Sequence, residues 1–233
     1  MDFQAGEIFA IDKPYGMTSF KALAHVRYIL SNTLGYKVKI GHAGTLDPLA
    51  TGVLILCTGK ATKKIEMLQA HTKEYLATLQ LGATTASYDM EHEVNAVYPT
   101  AGINRERIEE ILLQFVGDIQ QIPPTYSACK VDGERAYSLR RAGESVELKP
   151  KHVHIDEIEL TDFDAVKMQM NIRVVCGKGT YIRALARDMG RALGSGAYLT
   201  MLRRTRVGDF TKEKCVDFDH IREWLDKQEK ERI

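Results

Sequence analysis

The sequence predicts an α+β fold, a mixed and largely antiparallel sheet with flanking helices. Three observations point there. Strand-like and helix-like segments are interspersed without the regular βαβ beat of a doubly wound sheet. The segment KEYLATLQL (73 to 81) alternates with the period of a strand, placing Tyr75, Ala77, Leu79 and Leu81 on one face. Hydrophobic residues make up 44% of the 233, enough for a core without disulfides or metals. The length suits a single domain over 1 to 233.

The elements follow in order. EIFAID (7 to 12) reads as a strand ended by the turn Lys13-Pro14-Tyr15-Gly16. Thr18 or Ser19 can cap a helix running to about Leu34, with Gly35 just past its end. GHAGTLDPLATG (41 to 52) must be an irregular loop, since Pro48 and its glycines suit neither a helix nor a central strand. VLILC (53 to 57) reads as a buried strand, Lys60 to Leu68 as a short helix and Arg105 to Phe115 as a helix. Tyr126 to Val131 reads as a strand and Ala136 to Ala142 as a short helix. HVHIDEIEL and VKMQMNIRVVC suggest paired strands. Thr180 to Leu193 is a helix with an apolar stripe of Ile182, Leu185, Ala186, Met189 and Leu193. Tyr198 to Phe210 is extended, and Phe218 to Gln228 closes the chain as a helix.

The net charge of +1 hides an uneven distribution. Arg173 to Arg206 holds eight basic residues and one acid, while Thr84 to Val116 holds six acids and two bases. The basic stretch permits a nucleic-acid partner without demanding one. None of the cysteines at 57, 129, 176 and 215 forms a CxxC pair, so a metal site is not expected; Cys57 and Cys176 lie in apolar runs as buried thiols. There is no basic leader before a long apolar segment and no run of about eighteen apolar residues. The expected setting is the cytoplasm, without a membrane.

Three segments carry candidate chemistry. In the Gly-rich loop, Asp47 either organises an Asx-turn before Pro48 or presents a carboxylate to a substrate; His42 is either a satisfied loop histidine or a contact. GKGTYIRALARDMG (177 to 190) leads glycines into a helix start, with Tyr181 and Arg183 in its first turn away from the apolar stripe. It matches neither a P-loop nor a dinucleotide fingerprint. PPTYSACKVDGERAYSLRRAGE (123 to 144) interleaves basic residues with tyrosines, a composition that holds phosphates and stacks bases.

These segments, in this order, resemble the TruB family of tRNA pseudouridine-55 synthases. The matching stretches are KPYGMTS, GHAGTLDPLATGVL, KEY, PPTYSACKVDGERAY, GKGTYIRALARDMG and LRRTRVGDF, spread over nearly the whole chain. The resemblance implies isomerisation of the T-loop uridine of tRNA to pseudouridine, with no cofactor and no metal. It makes Asp47 the nucleophile, Arg183 its partner, Tyr75 the residue stacked on the target base and Tyr181 a second pocket tyrosine. His42 then fills the space left in the T-loop when the base flips out. Residues 123 to 150 become an excursion that clamps the RNA, with Lys130, Arg135 and Arg141 as phosphate contacts. Lys13 and Leu202 join the RNA-binding set, with Lys60, Lys63 and Lys64 as further backbone contacts. The expected partner is the tRNA T-arm, read by a monomer that needs no protein partner.

Departures from the family pattern are Ala43, the segment Met90 to Val94, and the short tail after LRRTRVGDF, which leaves no room for a separate C-terminal RNA-binding domain. Three rivals remain. A non-catalytic RNA-binding module or tRNA-folding chaperone on the same scaffold would tolerate loss of Asp47. A glycoside hydrolase would need a second carboxylate in the motif loops. A guide-RNA-dependent synthase would carry the extra domain.

Overall fold

The computed structural model describes residues 1–127, 130–131, 134–135 and 148–230. Its elements, in chain order, are β1 (Ile8–Lys13), α1 (Ser19–Leu34), β2 (Ile40–Ala43), β3 (Thr51–Thr58), α2 (Ile65–Ala70), β4 (Lys73–Leu81), β5 (Ala83–Thr85), β6 (Val94–Val97), α3 (Arg105–Leu112) and β7 (Gly117–Gln121). There follow β8 (Lys130–Val131), β9 (Glu134–Arg135), β10 (Lys151–Asp164), β11 (Gln169–Cys176), α4 (Ile182–Ala192), β12 (Ala197–Val207), β13 (Phe210–Thr211) and α5 (Ile221–Lys230). The chain divides into two compact units, one of Met1–Tyr75 with Arg203–Ile233, the other of Leu76–Leu202. The divisions fall inside β4 and β12.

In the first unit β3 is central. It pairs antiparallel with β1 and with β2, and parallel with the end of β12 through Thr51–Arg203 and Gly52–Arg204. Both faces of β3 are covered, which is why VLILC is apolar without alternation. Leu54 and Leu56 join Phe9, Val26, Leu30, Ile221 and Leu225 under α1 and α5. Val53, Ile55 and Cys57 face Ala43, Leu68 and Val207 on the other side. Helix α1 starts where the sequence predicts: the Thr18 side chain accepts from the Lys21 amide, and Gly35 closes the helix at φ 72°.

In the second unit β10 pairs antiparallel with β11 and with β7, and β4 lies beside β11. Ala77, Leu79 and Leu81 of β4 are buried, as are Ile155, Met170 and Ile172 of β10 and β11 and Leu185 and Met189 of the α4 stripe. Of the strand pairs whose direction is given above, β3–β12 is parallel and the others are antiparallel, so the mixed, largely antiparallel α+β fold is as predicted. Two expectations fail in part. The irregular loop expected over 41 to 52 is shorter, since Gly41–Ala43 lie in β2 and Thr51–Gly52 in β3. Tyr126 and Ser127 are bends, not strand; among the described residues of that segment the paired ones are Lys130 and Val131. The Tyr126 carbonyl is taken there by Arg183 Nη2 at 2.9 Å rather than by a strand partner. The helix expected at 136 to 142 lies outside the described residues.

Candidate active site

Asp47 stands on the loop between β2 and β3, and its neighbours brace that loop. Lys13 is fully buried. Its ammonium donates to the carbonyls of Pro14 (2.8 Å), Met17 (2.6 Å) and Pro48 (3.3 Å), joining the KPYG turn to the residue after Asp47. The Gly16 N–H also donates to the Pro48 carbonyl at 2.9 Å. Ser19, at the start of α1, accepts from the Leu46 amide (2.8 Å) and donates to its carbonyl (3.0 Å). From the other side the buried Arg204 donates to Val53 O (2.8 Å) and Gly44 O (3.0 Å). Gly52, at φ 105°, lies so close that a Cβ there would collide with the Arg204 carbonyl.

Burial pushes the Lys13 ammonium down to about 8; the Asp47 charge opposes this and the Arg204 charge adds to it. His42, on β2, is lowered too, by burial first and then by Arg204, so it is neutral at pH 7. Its buried Nδ1 has no hydrogen-bond partner among the described residues. The family resemblance implies an RNA-contacting Lys13; in the structure its ammonium has no exposed surface, and its three carbonyl bonds brace the Asp47 loop. Tyr75, in β4, is buried. Burial also pushes the Cys57 thiol up to about 11, which removes it as a nucleophile at neutral pH.

The second unit holds Tyr181 and Arg183 at the start of α4. Tyr181 is the N-cap residue, with its amide donating to Gln121 Oε1 at 2.8 Å. Arg183 does not lie on an exposed face as the helical spacing suggests; it is 4% exposed. Its Nη1 donates to Ser87 O (3.2 Å) and Nη2 to Tyr126 O (2.9 Å), and its Nε lies 3.7 Å from Asp89 Oδ2. Asp89 is held in turn by the Ser87 hydroxyl and the Glu91 amide. Motif reading missed Asp89, which sits just before the departing segment Met90 to Val94. Arg204 was missed likewise, because its charge merges into the LRRTR run.

That run also overstates the free charge. Arg183, Arg187 and Arg204 are buried, and Arg173, Arg203 and Arg206 meet Glu157, Asp12 and Glu74. Lys60, Lys63 and Lys64 are exposed on a short 3-10 helix, and Leu202 is half-buried on β12. Lys130 and Arg135 have their backbones in the β8–β9 pair, with side chains outside the description; Arg141 lies outside the described residues altogether. No group of three or more metal-binding side chains occurs among the described residues. Nor is any described helix long and apolar enough to cross a membrane.

A carboxylate on a braced Gly-rich loop, and a buried arginine beside an aspartate, are set on a pseudouridine-synthase scaffold. The chain resembles Cbf5 in the crystal structure of a Cbf5-Nop10-Gar1 complex, with a TM-score of 0.71 and 28% identity, over 97% of this chain and 57% of that one. Residues 31–182 match the model of the TruB family pseudouridylate synthase N-terminal domain. Residues 183–233 match that of the tRNA pseudouridylate synthase B C-terminal domain. The chain therefore belongs to the TruB family of pseudouridylate synthases. It is 62% identical to the tRNA pseudouridine synthase B of Bacteroides thetaiotaomicron, over 98% of this chain and 97% of the relative. It is 44% identical to that of Francisella philomiragia, over 93% of this chain and 70% of the relative.

Proposed function

We propose that this enzyme isomerises uridine 55 in the T-loop of tRNA to pseudouridine, with Asp47 as nucleophile. The carrying observation is the Asp47 loop itself, pinned by Lys13, Ser19 and Arg204 so that one carboxylate is held in fixed surroundings. Pinning of this kind places a reacting group before substrate arrives.

The reaction breaks the bond from ribose C1′ to uracil N1 and forms one from C1′ to C5. The C5 proton leaves and N1 gains one, so the sum is unchanged and no cofactor is required. Asp47 captures or stabilises the electron-poor centre that forms when the first bond breaks. Arg183 orients that carboxylate with its planar fork, a task a lysine point charge does not perform. Tyr75 stacks on the uracil, worth about 1–3 kcal/mol, and Tyr181 bonds near the carboxylate. Flipping the base from its stack costs a few kcal/mol. His42, neutral and compact, occupies the space left behind. Lys130, Arg135 and Arg141 contact phosphates as the 123 to 150 excursion closes, and Leu202 packs against the RNA. The enzyme acts as a monomer in the cytoplasm on the T-arm.

Incubating unmodified tRNA or a T-arm minihelix with wild type and Asp47→Asn, then mapping pseudouridine, tests this. Wild type modifies the T-loop uridine alone. Asp47→Asn binds RNA yet loses turnover by at least about 10⁴-fold, the scale of removing a nucleophile. Modification elsewhere, or full activity in the variant, overturns the reading. Tyr75→Phe separates the tyrosine's roles in single turnover: an unchanged rate confines it to stacking.

A further inference from the structure

A cavity of about 530 Å³ lies wholly within the second unit. That is within the range of small-ligand sites, about 300–1,000 Å³. Arg187 and Arg191 of α4 line it with Tyr88, Tyr98, Thr84 and Asn95, and no carboxylate is among its lining residues. Arg187 is 7% exposed. Its Nε and Nη2 donate to Asp188 at 2.8 and 3.1 Å, and Nη2 also to Ile122 O at 2.9 Å. Its Nη1 has no hydrogen-bond partner among the described residues. The guanidinium carbon sits 5.5 Å from the centroid of the Tyr88 ring. Arg191 is exposed and makes no ion pair among the described residues. The α4 C-terminus favours a cation and accounts for Arg191. It does not account for a buried Arg187 with a donor to spare.

The walls are shaped as well as charged. A Cβ on Gly196 would come within 2.5 Å of the Tyr98 ring and 2.8 Å of the Thr84 methyl. Only glycine lets that ring lie there. Thr84 and Asn95 bond each other at 2.9 Å across β5 and β6, at the same wall. The Arg191 cation and the spare Nη1 of Arg187, whose other donors Asp188 and Ile122 hold, meet a phosphate; the aromatic rings meet a base, and the hydroxyl and amide groups meet a ribose.

We infer that this cavity is a nucleotide-phosphate site, with Arg187 and Arg191 holding the phosphoryl oxygens and Tyr98 the base or sugar. The phosphate comes either from the backbone of bound RNA or from a free mononucleotide. The RNA source rests on the function proposed above; the free-nucleotide source does not.

The test uses the full chain and two exposed or half-exposed variants, Arg191→Glu and Tyr98→Leu, neither of which touches Asp47 or Arg183. Calorimetric titration with inorganic phosphate and with uridine 5′-monophosphate gives binding to wild type, weakened about tenfold in Arg191→Glu by loss of a charge-assisted contact. Tyr98→Leu weakens the nucleotide and leaves inorganic phosphate unchanged. T-arm affinity against salt separates the sources. An RNA phosphate gives weaker RNA binding in Arg191→Glu and a salt slope smaller by about one. A free nucleotide gives unchanged RNA binding. The inference is overturned if neither phosphate, nucleotide nor RNA binding responds to Arg191→Glu. Pseudouridine mapping with that variant at saturating RNA keeps the outcomes apart, since retained T-loop modification upholds Asp47 chemistry even when the cavity binds nothing.

Discussion

The two units bury cations in different ways. Around Asp47, Lys13 and Arg204 are held by five main-chain carbonyls, and no carboxylate lies within ion-pair distance of either among the described residues. In the second unit Arg183 takes two carbonyls and has Asp89 beside it. Carbonyl dipoles fix a cation's position without cancelling its charge. The first arrangement therefore leaves a positive field acting on Asp47, as the downward pull of Arg204 and the upward pull of Asp47 on Lys13 record. The second neutralises the guanidinium locally and fixes the direction of its fork.

The largest effect that can break this contrast is catalytic. Arg183→Lys keeps a charge beside Asp89 but loses the fork, and kcat falls by about 10²–10³, the cost of removing one aligned donor. Single-turnover rates at saturating RNA measure it, and a rate near wild type means that charge alone suffices. Asp89→Asn removes the matching charge from a buried guanidinium; it lowers kcat less and lowers the thermal midpoint, since breaking a buried pair is destabilising. If Asp89→Asn melts as wild type does, the two units handle charge alike.

Next in size is a loss of stability. Arg204→Met leaves Gly44 and Val53 carbonyls without their donor, at about 1–3 kcal/mol for each acceptor that stays buried. Urea unfolding reads this directly, and an unchanged midpoint would mean that water replaces the arginine.

The smallest effect is one of pH. Lys13 sits at about 8 in the fold against 10.5 in the unfolded chain. Between these values the unfolded chain keeps a proton that the folded chain has lost, so Lys13 makes stability rise as pH climbs through that window. Below about pH 8 both states hold the proton and the contribution is flat. Cys215, pushed up to about 12 by burial first, works in the opposite direction at high pH. The readout is therefore the difference between wild type and Lys13→Met in urea midpoints across that window. Parallel pH profiles would place the ammonium in water.

Local pattern carried most of the fold into the sequence. The α1 caps, the β4 alternation and the α4 stripe depend on residues a few positions apart, and each lies where its spacing puts it. The Asp47 loop was legible for the same reason, through Pro48 and closely spaced glycines. What stayed hidden depends on register between distant strands. Nothing near Arg204 in the chain says that β12 lies parallel to β3 and sets its guanidinium behind Gly44. A count of charges treats Arg183, Arg187 and Arg204 as solvent-facing, whereas folding buries all three. Asp89 was invisible because its partner is far along the chain and its own segment departs from the family pattern.

The Arg204 brace has a consequence for timing. Its bonds to Val53 and Gly44 span 151 and 160 residues. During synthesis at about 5–20 residues per second, the Asp47 loop leaves the ribosome on the order of ten seconds before the side chain that locks it. Long-range closure of this kind is also the slow part of folding. A nascent chain thus carries Asp47 early, braced only by the residues that precede it, and the last brace arrives when residue 204 reaches its slot.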